Sequence, residues 1–273
     1  MIRSILKKSI TAIATVAIFF TIGCDTDAIN ADAGMGTMEV RLHDAPGDYD
    51  EVNVFVESVQ VNRTESDGGW QTINEPNQSF DLLKLTNGAY EVIGDAELET
   101  GTYPQIRLIL SRENNTIVKD GIEHDLFIPS GAETGIKLQI NAEIQDDITY
   151  VLLLDFDAGR SVVKAGEAPI NYLLQPVIRA TNEAITGNID GSVSSAVHAS
   201  VYAMQGSEEK STTVTGPDGE FRLVGLEAGT YTVSIEASED GYDIKNIDDI
   251  SVTVGETNDI GEQEISPSDA SGE

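Results

Sequence analysis

Cysteine occurs once in the 273 residues, at Cys24, which excludes a disulfide framework and any metal site built from several thiolates. Tryptophan also occurs once, at Trp70, and aromatic residues make up only 6% of the chain, so a broad aromatic sugar platform is not evident. Basic residues are scarce: 16 Lys+Arg stand against 47 Asp+Glu, a formal net charge of −31. A surface of that sign repels a phosphate backbone, which excludes a nucleic-acid partner. From residue 37 onward there is no amphipathic helical pattern. No Gly-x-Ser-x-Gly elbow, His-Glu-x-x-His pair or phosphate loop occurs either. His43, His124 and His198 are far apart and share no spacing with acids that matches a triad or a metal motif. The expectation is a protein that is not an enzyme.

The N-terminus carries an address. Arg3, Lys7 and Lys8 precede an uncharged, mostly apolar run over 10–22. As a helix that run rises only about 20 Å, short of the roughly 30 Å hydrocarbon core, so it fits a secretory signal and not a permanent span. It ends Thr21-Ile22-Gly23-Cys24. This resembles a bacterial lipoprotein cleavage box, which implies residues 1–23 as signal peptide and Cys24 as the acylated mature N-terminus. Residues 24–36 then read as a lipidated, flexible tether, because 25–34 is small, acidic and without periodicity. Acids just behind the cysteine resemble the export signals of surface lipoproteins, so an outer-membrane anchor facing the cell surface is expected; a periplasm-facing anchor is the rival.

The remainder reads as all-β, two tandem antiparallel β-sandwich domains over 37–181 and 184–265, with a disordered tail over 266–273. Val52, Val54 and Val56 alternate, then Val59 and Val61 resume on the other parity, which predicts a bulge at Glu57-Ser58. Val151-Leu152-Leu153-Leu154 is apolar on both faces and predicts a central strand. An apolar strand is expected from Tyr172 to Ala180, and Gly216-Pro217-Asp218-Gly219 reads as a hairpin turn. Leu98-Glu99-Thr100-Gly101-Thr102-Tyr103 is echoed by Leu226-Glu227-Ala228-Gly229-Thr230-Tyr231, which shared turn chemistry explains.

Two resemblances rest on these residues. Leu42-His43-Asp44-Ala45-Pro46, Phe80-Asp81-Leu82-Leu83-Lys84-Leu85, Ile128-Pro129-Ser130-Gly131, Leu154-Asp155-Phe156-Asp157-Ala158 and Leu174-Gln175-Pro176-Val177-Ile178 resemble an uncharacterised lipoprotein family, domain of unknown function 4382. That family brings no established activity. Ile185-Thr186-Gly187, Gly216-Pro217-Asp218-Gly219-Glu220-Phe221 and Gly229-Thr230-Tyr231 are similar to carboxypeptidase-regulatory-like, transthyretin-type sandwiches, which also group with carbohydrate-binding-like folds. The resemblance implies a fold and not a ligand.

Candidate ligating residues are Asp44, Asp48, Asp50, Asp155 and Asp157, with His43 and Glu51 beside them. If their segments meet, they offer an oxygen-rich site for calcium. The alternative is a turn whose acids cap backbone N–H groups, with no cofactor. The expected function is a non-enzymatic, lipid-anchored envelope protein with a binding or display role. The membrane is one partner, through the anchor, and glycans or envelope proteins are further candidates. A carbohydrate-binding lipoprotein is the alternative, with Trp70, Tyr202, Tyr231 and Tyr242 as its candidate stacking rings.

Overall fold

Alternation of apolar and polar residues builds the chain almost entirely from strands. The computed structural model describes residues 34–63, 69–129, 135–166, 171–194 and 198–268; the signal segment, Cys24 and the tether to residue 33 lie outside them. The first module opens with β1 (Met35–Ala45), β2 (Glu51–Asn62), β3 (Trp70–Asn74), β4 (Gln78–Asp81), β5 (Glu91–Glu99) and β6 (Gly101–Leu110). It continues with β7 (Thr116–Lys119), β8 (Ile122–Phe127), β9 (Ile136–Ile144), β10 (Thr149–Asp157), a single helical turn α1 (Ala158–Ser161), β11 (Val162–Ala165), β12 (Asn171–Leu174) and β13 (Ile178–Asn182). The second module comprises β14 (Thr186–Val193), β15 (Ala199–Gln205), β16 (Glu208–Val214), β17 (Glu220–Glu227), β18 (Gly229–Ala237), β19 (Lys245–Val252) and β20 (Thr257–Gln263).

Each module is two sheets around its own core. In the first, β13-β10-β1-β5 faces a larger sheet running β11-β12-β8-β7-β2-β6-β9, with β3 and β4 also paired to β2. Met38, Val40, Leu42, Val54, Ile106, Leu108, Leu152 and Phe156 are among the residues buried between them. In the second, β17-β14-β20 packs on β16-β15-β18-β19 over Ile189, Val201, Phe221, Leu223, Val233 and Ile235. Each such side chain contributes roughly 1.5–3 kcal/mol on full burial.

The bulge in β2 is present: its pairing with β6 slips between Val56 and Ser58. The two echoed segments share a geometry as well as a sequence. Tyr103 Oη donates to Glu99 O at 3.0 Å and Tyr231 Oη donates to Glu227 O at 2.8 Å, each a tyrosine corner closing a strand-to-strand turn.

Four expectations need correction. The sheets are mixed, because β1 pairs β10, β12 pairs β8 and β14 pairs β20 in parallel. Parallel neighbours require a long crossover, and the strands between β1 and β10 supply one: all but β5 build the opposite sheet. The strand expected over Tyr172 to Ala180 is two strands in different sheets, β12 and β13, divided at Gln175-Pro176-Val177, where Pro176 has no N–H to continue a ladder. The Gly216–Gly219 turn is formed, with Gly219 at φ 83° and its N–H donating to Gly216 O at 2.9 Å. It joins β16 to β17 across the two sheets and so is a corner, not a ladder hairpin. The tail is held through residue 268, where Asp243 N donates to Ser266 O and Ser268 N to Gly241 O.

Candidate functional site

The parallel register of β1 and β10 sets His43 beside Asp155, Asp44 beside Phe156 and Ala45 beside Asp157. Successive residues alternate faces, so Asp44 turns with Leu42 and Phe156 toward the core, while His43 and Asp155 turn toward the second module. Asp44 is fully buried. Its Oδ1 accepts from Ala158 N at 3.0 Å, and its Oδ2 has no partner. Burial pushes its pKa well above the usual carboxylate range, and the charges of Asp155, Asp157 and Asp81 add to the rise.

Asp157 is a helix cap. Its Oδ1 accepts from Arg160 N at 2.8 Å at the start of α1, and its Oδ2 lies 3.3 Å from Arg160 Nε. Asp155 pairs with Arg179, Oδ2 to Nη2 at 3.2 Å, while its Oδ1 is buried without a partner. Burial raises the Asp155 pKa, and the Arg179 guanidinium opposes that rise. His43 Nδ1 lies 2.8 Å from Ala89 O, so that nitrogen carries the proton it donates.

Both arginines continue across to the second module. Arg160 Nη2 lies 2.7 Å from Glu209 Oε2, and Arg179 Nη1 donates to the carbonyls of Lys210 and Glu209. These groups, with Glu227 and Tyr231, line a cleft of about 710 Å³. Its charges are largely spoken for by one another, and the arrangement is a polar joint.

A second contact was not legible as such. Asn87-Gly88 reads as a turn, and both residues have positive φ, 56° and 79°. The turn docks on β17, an edge strand. Asn87 Oδ1 accepts from Arg222 N at 2.5 Å, its Nδ2 donates to Glu220 O at 3.4 Å, and its backbone N donates to Thr213 Oγ1 at 3.1 Å. One side-chain amide thus stands in for a rung of a β-ladder and covers an otherwise open edge. Leu153 adds an apolar contact, since a Cβ on Gly225 would stand 3.2 Å from its Cδ2. This explains why 151–154 is apolar on both faces: one side meets the sandwich core and the other meets the second module.

The sequence candidates therefore divide. Asp44, Asp155 and Asp157 come together at the paired strand ends, but as a buried acid, an ion pair and a cap. Asp48 is exposed and lies 3.0 Å from Lys119 Nζ, Asp50 Oδ2 accepts from Gly121 N at 2.8 Å, and Glu51 Oε2 accepts from Asn53 Nδ2 at 3.1 Å. Among the described residues no group of three or more His, Cys, Asp or Glu side chains is placed to hold a metal ion. Of the stacking candidates, Tyr231 is core, and Trp70, Tyr202 and Tyr242 are all half-buried. Cys24 lies outside the described residues.

Fold and joint define a two-module all-β protein whose modules are pinned by the Arg160–Glu209 pair, by Arg179 on two backbone carbonyls and by the Asn87 amide. The chain belongs to the family described as Domain of unknown function (DUF4382), which matches residues 35–176, and residues 184–263 match the Carboxypeptidase regulatory-like domain. No curated protein matches it. Among solved structures it is similar to a type II cohesin–X-dockerin complex from Acetivibrio cellulolyticus, at 20% identity over 30% of this chain and 58% of that one, TM-score 0.24. The minor pilin of Streptococcus agalactiae matches at 13% identity over 86% and 99%, TM-score 0.22. A putative adhesin from Bacteroides ovatus matches at 9% identity over 83% and 87%, TM-score 0.23. At these scores the likenesses say nothing about what this chain binds.

Proposed function

We propose that this is a non-enzymatic, lipid-anchored protein of the bacterial envelope, displayed from the outer membrane at the cell surface, with a binding role. The observation that carries the reading is the position of the lone cysteine, directly after Gly23 at the end of the uncharged run 10–22. Two features of the body support it. At residue 34 the chain is held to the first module, where Thr100 N donates to Gly34 O and Met35 N to Asp146 Oδ1, so an anchor at Cys24 is at most about 35 Å away along the chain. The polar joint then presents both modules as one body at the end of that tether. Several acyl chains, at about 0.8 kcal/mol per buried CH₂, hold such a body where a single chain barely does.

The test is metabolic labelling with a radiolabelled fatty acid, combined with protease shaving of intact cells. Label in the wild-type protein and none in Cys24→Ala is the expected result, with the wild-type body cleaved from outside. Equal labelling of the variant refutes the anchor; resistance to shaving while labelled refutes the outward face.

A further inference from the structure

Asn87 is the only asparagine of the chain that is followed by glycine. In Asn-Gly the backbone nitrogen reaches the side-chain amide most easily, because glycine has no side chain to shield it or to restrict the backbone. The fold calls for that sequence here. Both residues have positive φ in a turn closed by Ala89 N on Thr86 O at 3.0 Å, a conformation that Asn and Gly adopt at least cost. Gly88 is required a second time, since a Cβ there would stand 2.8 Å from Arg222 Cδ. The Asn87 amide is meanwhile held by the second module, with Oδ1 accepting from Arg222 N and Nδ2 donating to Glu220 O.

We propose that Asn87 is a self-deamidation site, held inert while the modules are docked, and that its conversion releases the edge of β17. Water is the one co-reactant. The Gly88 nitrogen gives up its proton to hydroxide and attacks Asn87 Cγ; the Cγ–Nδ2 bond breaks, ammonia leaves, and a five-membered imide closes. Water then opens one of the two imide C–N bonds. Opening at Cγ restores the main chain and leaves aspartate. Opening at the Asn87 carbonyl carbon leaves isoaspartate, with the main chain running through Cβ and Cγ. Docking opposes the first step, because Cγ must swing onto Gly88 N and both side-chain hydrogen bonds to β17 must break for that. Either product lacks the Nδ2 donor and sets a carboxylate against Glu220 O. Isoaspartate also adds a carbon to the turn that aims this side chain. The backbone groups of β17, an edge strand, are then left to water.

The experiment incubates full-length protein in detergent micelles, in mildly alkaline heavy-oxygen water, and locates the incorporated oxygen by peptide mass mapping. Asn87 should label fastest of all asparagines when the chain is unfolded in urea. In the native protein its rate should fall about ten- to a hundredfold, the scale of two hydrogen bonds that must open first. Arg179→Met, which takes the guanidinium away from the Glu209 and Lys210 carbonyls, should label about tenfold faster than native wild type. Protein converted in urea and refolded should exchange amide hydrogens in the β17 peptide about tenfold faster than unconverted, refolded protein. Asn87→Asp should shift the same peptide in the same direction without any ageing. Peptides from β15 and β18, interior strands of the same module, should be unchanged. Equal labelling of native and unfolded protein overturns the proposal, as does an unfolded chain in which another asparagine labels first. An Arg179→Met rate equal to wild type overturns the gate, by showing that docking does not set it. Unchanged β17 exchange in both the converted protein and Asn87→Asp overturns the release. Exchange raised equally in β15 and β18 overturns it as well, by showing that the module unfolds.

Discussion

Replacing Arg179 by Met should destabilise the protein in a way that depends on pH. The Asp155 side chain is only 13% exposed, one of its oxygens has no partner, and Arg179 is the cation that faces the other. Removing one partner of a wholly buried pair costs about 3–5 kcal/mol, because an uncompensated charge is left behind. Arg179 is 37% exposed, so solvent already screens the pair, and about 2 kcal/mol is the reasoned loss for Arg179→Met near pH 7. The converse change is asymmetric. Asp155→Asn leaves an arginine that reaches water and keeps an acceptor oxygen, so its effect should stay below about 1 kcal/mol. Adding it to Arg179→Met should recover most of the loss, since the two residues form one coupled unit. Burial raises the folded-state pKa of Asp155 and Arg179 holds it back, so removing the arginine raises it further. An acid with a raised folded pKa contributes stability that is full below its unfolded value, about 3.9, and lost as pH rises through the folded one. The Arg179→Met penalty should therefore be large near pH 7 and small near pH 4, by urea unfolding at each pH. A penalty equal at both, or unrelieved by Asp155→Asn, refutes the account.

The same linkage applies to Asp44, whose folded pKa is raised by burial: Asp44→Asn should gain in melting temperature relative to wild type as pH rises above about 4, and parallel pH profiles would refute it. Gly187→Ala should destabilise the second module by about 1–3 kcal/mol or more, because its Cβ would stand 2.3 Å from Thr253 O and 2.8 Å from Glu256 O; denaturant midpoints measure this. Asn87→Gly keeps the left-handed backbone and removes only the amide contacts to β17, so it should cost about 0.5–1.5 kcal/mol, and Asn87→Ala about 1 kcal/mol more for the positive φ. Equal effects of the two would show that backbone conformation is not at stake there. The segment 184–265, with a core of its own, should give a β-type circular dichroism spectrum and a cooperative melt when expressed alone; a disordered spectrum would show that it depends on the joint.

Much of this architecture was legible because β-structure writes its faces into the chain at a period of two. The alternating valines of β2 and the parity slip at its bulge both followed from side chains that must choose between a core and water. Local turn chemistry was legible as well: Gly216–Gly219 is a turn whatever surrounds it. The partners of those elements were not legible. Pairing of β1 with β10 joins residues more than a hundred positions apart, and either strand direction satisfies the same alternation, so parallel pairing left no mark in the pattern. Asp44, Asp155 and Asp157 looked alike in the sequence. Only burial and neighbours made one a buried acid, one the partner of Arg179 and one a helix cap. Leu153 announced a covered face without naming its cover, and Asn87 gave no sign that its amide would complete the edge of another module. Periodicity and turn chemistry act within a few residues and so survive in the sequence. Pairing, burial and charge compensation are settled between distant segments, and the tertiary structure alone decided them.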